Sequence, residues 1–148
     1  MDLPQTNPNK ILIYRAAMIP FIIENGKIQM MFMKPADPER GGDEFQLVKG
    51  KVEPEDESML ACALRECREE VGLFIGNVIK TAEVGNFMGR TMVFICKVKD
   101  KDMFGIPGDE TGDVTWMTPE QFQDEGRILH KPVVSSSVRL IKKLENMD

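Results

Sequence analysis

The spacing of apolar positions predicts several strands arranged around one amphipathic helix. An Ile-, Ala- and Met-rich stretch over 11–23 predicts a buried strand, and alternating apolar positions over 27–33 predict a second one. Asn25-Gly26 lies between them, and because both residues tolerate a positive φ, a tight hairpin is expected. Further strands are expected over 44–48, within 74–84 before a break at Gly85-Asn86, over 91–98 and over 114–117.

The predicted helices begin and end at recognisable signals. Helix-forming residues run over 58–71 and stop at Gly72, and Gly is the residue type preferred just past a helix end. Thr118-Pro119-Glu120 has the order of a cap, a first-turn Pro and an acid, so it predicts a helix start. A C-terminal helix is expected over 135–147. Together these elements predict a mixed sheet covered by helices on both faces.

Three glutamates share one side of the central helix. At about 100° per residue, Glu66, Glu69 and Glu70 fall within one arc, beside an apolar stripe. Like charges at these spacings repel, but a divalent cation among them makes the cluster favourable, and carboxylate oxygens suit Mg²⁺ and Mn²⁺. Each glutamate taken alone is also consistent with a solvated face that forms ordinary ion pairs. The apolar stripe consists of Leu60, Ala63, Leu64, Cys67 and Val71.

The central helix resembles the signature of a known enzyme family. Glu57, seven residues and then 65–73, Arg-Glu-Cys-Arg-Glu-Glu-Val-Gly-Leu, are similar to the signature of the Nudix hydrolases. In that pattern Gly and five residues precede the first Glu, whereas six residues separate Gly50 from Glu57 here. The extra residue falls in the loop before the helix, where insertions are tolerated.

The resemblance implies a fold, a reaction and a cofactor. The fold would be α/β, a Nudix-like α/β/α sandwich with a mixed β-sheet. The reaction would be hydrolysis of a pyrophosphate bond in a nucleoside diphosphate linked to another moiety, by water attack at phosphorus with Mg²⁺ or Mn²⁺. Residues 47–55 resemble the corresponding segment of dinucleoside polyphosphate hydrolases, and ADP-ribose or a related dinucleotide is the other expected substrate. An alternative is a (d)NTP pyrophosphatase of the house-cleaning type.

Individual site roles follow from the same resemblance. Glu66, Glu69 and Glu70 match the metal-binding glutamates of the family, and Glu66 is also a candidate base. Arg65 and Glu57 match the pair that orients them. The remaining candidates are the Gly50 or Lys51 carbonyl for the metal, Glu110 in the acidic loop before Trp116 as a catalytic residue, and Arg15, Lys34, Lys49 and Arg90 for substrate phosphates. Glu110 is equally consistent with a solvated turn, and each cation alone with a surface charge.

Composition narrows the class of protein. The 148 residues suit one domain over 1–148, with a loose, Pro-containing N-terminal arm over 1–10. A net charge of −5 argues against a broad nucleic-acid surface. The longest apolar run near the N-terminus is too short to span a membrane. Three Cys without a Cys-x-x-Cys pair or a visible signal peptide predict packed, reduced thiols in a cytoplasmic protein.

Two further interpretations do not involve catalysis. One is a Nudix module that binds a nucleotide or a protein without cleaving it, and the complete set of helix acids argues against it. The other is a structural cation-binding helix, for which metal would raise stability without any cleavage. The single histidine, His130, is predicted to be a surface or hinge residue without a catalytic role. The partner is expected to be a small nucleotide, and the residues leave a homodimer open.

Overall fold

A computed structural model describes residues 14–148 of the chain. The predicted arm over 1–10 and the start of the predicted first strand over 11–13 lie outside the described residues. Within the described part the chain forms six strands and three α-helices. In chain order these are β1 (Arg15–Glu24), β2 (Lys27–Pro35), β3 (Val48–Lys51), α1 (Met59–Val71), β4 (Val78–Phe87), β5 (Thr91–Val98), β6 (Thr111–Met117), α2 (Pro119–Glu125) and α3 (Lys131–Leu144).

The strands form one mixed sheet with β1 at its centre. The order is β4-β5-β1-β2-β6, and β3 also pairs with β1. The first half of β1 pairs antiparallel with β3, with Ala16 opposite Gly50, and its second half pairs with β2. β1 and β5 run parallel, while the other pairings are antiparallel. β3 is therefore held against the centre of the sheet, next to the start of β1.

Helices cover both faces of this sheet, so the predicted α/β/α sandwich is confirmed. α1 packs Cys62, Ala63, Cys67 and Val71 against one face. The other face is covered by α2 and α3, whose buried side chains include Phe122, Val133, Val134 and Ile141. Burying a large apolar side chain fully contributes about 1.5–3 kcal/mol, and this stabilises both layers. No helix over 14–148 combines the length and the apolar character needed to cross a membrane.

α1 ends at the predicted Gly72 and begins at Met59, one residue after the predicted start, with Ser58 as its cap. The Ser58 hydroxyl accepts the Ala61 N–H at 3.0 Å, which satisfies one of the free donors of the first turn. Gly72 follows the helix with φ 77°, and its N–H bonds to the Arg68 carbonyl at 3.0 Å. A Cβ at Gly72 would lie 2.4 Å from the Gly105 carbonyl oxygen, so only glycine fits there. Both ends of the glutamate-bearing helix are therefore fixed.

Several predicted boundaries were wrong. The strand expected over 44–48 instead runs over Val48–Lys51 as β3. Before it, Gln46 forms only an isolated bridge to Met33. β4 does not break at Gly85-Asn86 but continues to Phe87 through a shift in register. α3 begins at Lys131 rather than near 135, because Pro in a first helical turn lacks an N–H that would be unsatisfied anyway. In α1, Leu60 and Leu64 of the expected apolar stripe are only partly buried.

Candidate active site

A cleft of about 560 Å³ opens where β3, the start of β1, α1 and the loop before β6 meet. Its lining combines charges of both signs. Carboxylates and cations in one cleft can bind an anionic ligand together with a metal ion. The acidic side chains of the lining are those of Asp37, Glu53, Glu66, Glu70, Asp109 and Glu110, and the basic ones are those of Arg15, Arg40, Lys49 and Lys51.

Glu66 packs directly on the backbone of β3 at Gly50. A Cβ at Gly50 would lie 2.0 Å from the Glu66 carboxyl carbon and 2.2 and 2.3 Å from its oxygens. Any other residue at position 50 would therefore displace this carboxylate. Arg65 donates to Glu66 Oε1 at 3.0 Å. Burial raises the pKa of the Glu66 carboxyl, while the Arg65 charge opposes that rise. The structure thus brings two of the predicted metal-site residues, Gly50 and Glu66, into contact.

Glu70 presents a carboxylate oxygen that the chain leaves without a partner. Its Oε2 atom is buried and has no hydrogen-bond partner among the described residues. Burial, followed by the charge of Glu66, raises the pKa of Glu70 to about 8, and Glu110 adds to the rise. A buried polar atom without a partner is costly. A cation beside this oxygen would remove that cost, so Glu70 fits a divalent metal ion.

Glu69 lines a neighbouring pocket together with Glu66 and Glu70. It is exposed and accepts a hydrogen bond from Arg65 at 2.9 Å. Over residues 14–148, no three His, Cys, Asp or Glu side chains are gathered closely enough to hold a metal ion. The predicted trio is therefore not a ready-made coordination sphere. Glu66, cradled by Gly50, and Glu70, with its unpartnered oxygen, have the geometry that fits a metal, and a metal-binding role for Glu69 stays a prediction.

Arg65 pairs with Asp56, whereas the sequence pattern assigned Glu57 to it. Arg65 Nε donates to Asp56 Oδ1 at 2.8 Å, and its Nη2 donates to Oδ2 at 2.9 Å. Asp56 is buried, and it also accepts the Glu53 N–H at 2.8 Å. Glu57 is exposed and is not among the described partners of Arg65. Five residues separate Gly50 from Asp56, the spacing of the family pattern, so that spacing was the available signal.

The loop before β6 is fastened to the end of α1. The Thr111 hydroxyl donates to the Glu70 carbonyl at 2.7 Å, and the Gly108 N–H reaches the same oxygen at 3.3 Å. On the other side, the Ala36 N–H donates to the Glu110 carbonyl at 2.8 Å. These bonds hold Glu110 in the cleft lining, close enough for its charge to raise the pKa of Glu70. A catalytic role for Glu110 stays a prediction.

The four predicted phosphate-binding cations divide into two pairs. Arg15 and Lys49 line the cleft. Burial lowers the pKa of the half-buried Lys49, the charge of Arg15 lowers it further, and Glu70 opposes the change. Lys34 lies above the ring of Phe45, and Arg90 lies over a tyrosine ring that it shares with Arg15. Neither Lys34 nor Arg90 belongs to the described lining of the cleft.

His130 is a core residue, which corrects the expectation of a surface or hinge position. It is 0 % exposed, and its Nδ1 accepts the Leu47 N–H at 3.2 Å. Burial, together with the charges of Arg127 and Lys49, lowers the pKa of the imidazole to about 3, so it stays neutral. His130 thereby positions the chain just before β3. A lone histidine between Ile128-Leu129 and Pro132-Val133 carries no pattern that reveals such a contact.

The fold and the cleft define an α/β/α sandwich protein whose site suits a phosphorylated ligand with a metal ion. The NUDIX domain family matches residues 14–137, so the chain belongs to that family. The resemblance of the helix signature is thereby confirmed. The family match and the fold support a pyrophosphohydrolase, and Nudix hydrolases generally use divalent metal ions.

Solved structures share the fold at low sequence identity. An Ap4A hydrolase of C. elegans in a binary complex has a TM-score of 0.70 and 16% identity, covering 88% of this chain and 98% of that one. The NUDIX domain of Shewanella oneidensis NrtR, complexed with ADP ribose, has a TM-score of 0.68 and 12% identity, covering 87% and 88%. A MutT structure from work on Aliivibrio salmonicida and Vibrio cholerae has a TM-score of 0.61 and 20% identity, covering 86% and 98%. A comparison with curated proteins gave no significant match.

Proposed function

We propose that the chain is a single-domain, metal-dependent hydrolase of a pyrophosphate bond in a nucleoside diphosphate linked to another moiety. Candidate substrates are dinucleoside polyphosphates, ADP-ribose and related dinucleotides, with Mg²⁺ or Mn²⁺ as the cofactor. The observation that carries this proposal is the buried, unpartnered oxygen of Glu70 beside Glu66, in a cleft that also contains cations. The carboxylates on one side of the cleft suit a cation, and the basic side chains on the other side suit an anion. A metal–nucleotide complex supplies both.

The acidic residues of the cleft would bind the metal ion, and the basic residues would bind the phosphate groups. Glu66, held by Arg65 and seated on Gly50, and Glu70 would hold the metal ion. When bound, a divalent cation neutralises phosphate charge and makes water a better nucleophile. Lys49 and Arg15 would hold phosphate oxygens and so orient the scissile bond.

The carboxylates of the cleft are the candidate groups for accepting a proton from the attacking water. Glu66 is the candidate base because it lies in the cleft with one oxygen not engaged by Arg65. Glu110 is a second candidate, held near Glu70 by the loop before β6. Since no His, Ser or Cys nucleophile is needed, attack by water at phosphorus is the chemistry these groups can support.

A substrate panel with chromatographic product analysis tests this function. The panel holds diadenosine polyphosphates, ADP-ribose, FAD, NADH and nucleoside triphosphates, each with Mg²⁺, with Mn²⁺ and with chelator. Metal-dependent cleavage of one dinucleotide class is expected, and ¹⁸O-labelled water identifies the phosphorus attacked. Triphosphate cleavage with release of pyrophosphate would favour the house-cleaning alternative. Nucleotide binding without cleavage of any compound would contradict hydrolysis and favour a binding module.

The cellular setting and the assembly state also belong to the proposal. All three cysteines are buried and free, which supports a reducing, cytoplasmic environment. Fractionation of cells and a thiol titration of the unfolded protein would test this directly. Light scattering on the purified chain would decide between a monomer and the homodimer that the sequence leaves open.

A further inference from the structure

Residues 37–44, the rim loop, form part of the cleft wall between β2 and β3. Asp37 and Arg40 of this loop belong to the cleft lining, and so does Gln46 just after it. The residues assigned above to the metal and the phosphates lie on α1, β1 and β3. The rim loop therefore offers additional surface to the part of a ligand that those residues do not hold.

The side-chain amide of Gln46 ties the rim loop to the rest of the protein. Gln46 is 5% exposed, and its Nε2 donates to the Gly41 carbonyl at 2.9 Å and to the Glu44 carbonyl at 3.3 Å. These two bonds use both hydrogens of the amide. Among residues 14–148, every other hydrogen bond or salt bridge of the rim loop stays within the loop. The Gln46 amide is therefore the polar contact that fixes where the loop lies.

Gln46 is itself held from two directions. Its backbone N–H and carbonyl bond to the carbonyl and N–H of Met33 in β2, at 2.8 and 3.1 Å. Its side-chain oxygen accepts from Arg127 Nη1 at 3.4 Å, and the next residue, Leu47, donates to His130 at 3.2 Å. Since the anchor is buried and fixed on both sides, the two bonds from its amide transmit that position to the rim loop.

We propose that Gln46 is a positioning residue, whose amide holds the rim loop as a wall of the cleft and thereby sets how tightly the substrate is bound. The rim loop contains no residue assigned to the metal ion. Releasing it should therefore raise KM and leave kcat little changed, because the reacting groups stay in place. The effect on substrate rests on the proposed function, whereas the placement of the loop by Gln46 does not.

Amide hydrogen exchange of the full chain, followed by NMR without metal or nucleotide, tests the placement of the loop. The reporter is the Gly42 N–H, which bonds to the Pro38 carbonyl at 2.6 Å. In Gln46→Ala its exchange should be roughly tenfold faster or more, as expected for the loss of two hydrogen bonds. Gln46→Glu keeps the size of the side chain but has no N–H to donate at neutral pH, so it should behave alike. The matched control is Gln123→Ala, which removes an exposed amide that donates to the Lys131 carbonyl at 3.3 Å and should not change Gly42. Wild-type exchange at Gly42 in either Gln46 variant would overturn the proposal.

Steady-state kinetics separate positioning from a direct contact or a general structural role. Gly41→Ala provides a second variant, since φ is 143° there and a Cβ would lie 3.4 Å from Gln46 Oε1, so alanine strains the turn while the amide remains. With the substrate that the panel identifies, both Gln46→Ala and Gly41→Ala should raise KM and preserve kcat, and Gln123→Ala should match the wild type. A fall in kcat at unchanged KM, or a raised KM in Gln46→Ala alone, would overturn the proposal. Faster Gly42 exchange in a chain that cleaves nothing would support the role of Gln46 and refute the hydrolase function alone.

Discussion

Replacing Asp56 by Asn tests how the glutamate-bearing helix is held in place. The Asp56 side chain is 4% exposed and receives two hydrogen bonds from Arg65, at 2.8 and 2.9 Å. It also accepts the Glu53 N–H at 2.8 Å. An amide offers one acceptor oxygen in place of two, so at least one of these donors loses its partner. Arg65, whose side chain is 16% exposed, would keep its charge while losing its most buried counter-ion.

The expected loss of stability can be worked out from this geometry. Removing one partner of a buried ion pair costs about 3–5 kcal/mol. Arg65 still reaches Glu66 and Glu69, so we expect the lower end, about 3 kcal/mol. For a domain of this size, that loss lowers the melting temperature by roughly 6–12 °C. Glu57→Gln is the matched control, and since its side chain is exposed, its melting temperature should not change measurably.

The pH dependence gives a second check on the same contact. Hydrogen bonding from Arg65 holds the pKa of Asp56 below its usual value of 3.8. A carboxyl with a lowered folded-state pKa contributes stability that is fully present above its unfolded pKa and is lost as the pH falls through the folded value. The stability difference between wild type and Asp56→Asn should therefore hold near neutrality and shrink below the usual pKa. Equal stabilities at neutral pH, or a large loss in Glu57→Gln, would refute the pairing.

Three further substitutions separate chemistry from packing. Glu70→Gln should lower kcat by orders of magnitude and weaken metal binding in calorimetry while the far-UV spectrum stays unchanged; normal turnover would remove Glu70 from the site. Gly50→Ala should reduce kcat with little change in stability, because its Cβ displaces only the flexible end of Glu66 in the cleft; a fully active variant would contradict that contact. Leu64→Ala, at a partly buried position, should lose less than the roughly 2–5 kcal/mol of a buried leucine, with kcat unchanged; a greater loss in urea unfolding would mean that α1 packs more deeply there.

Features set by neighbouring residues could be predicted from the sequence. Asn25 and Gly26 have φ values of 54° and 75°, as the hairpin signal requires, and β5 has the predicted bounds. Gly72 ends α1, as predicted. Each of these features depends on the conformational preferences of a few adjacent residues, so their sequence signals suffice.

The orientation of side chains within the site could not be read from spacing. Glu66, Glu69 and Glu70 share a helix arc, but Arg65 binds Glu69 at the surface while Glu70 points into the cleft. Adjacent acids in a loop present the same difficulty. Which of Asp56 and Glu57 turns inward depends on the path of the chain from β3 to α1. That path is set by tertiary contacts, which no periodicity records.

His130 shows how a contact distant in sequence can become part of a site. Its Nδ1 accepts a bond from Leu47, 83 residues away, and Lys49 and Gly50 follow directly along β3. A protonated imidazole could not accept this bond, and burial beside Arg127 and Lys49 keeps the ring neutral. Burial of the ring thus preserves the bond that positions β3. A substitution of His130 should therefore affect the site through the position of β3, although the imidazole takes no part in the chemistry.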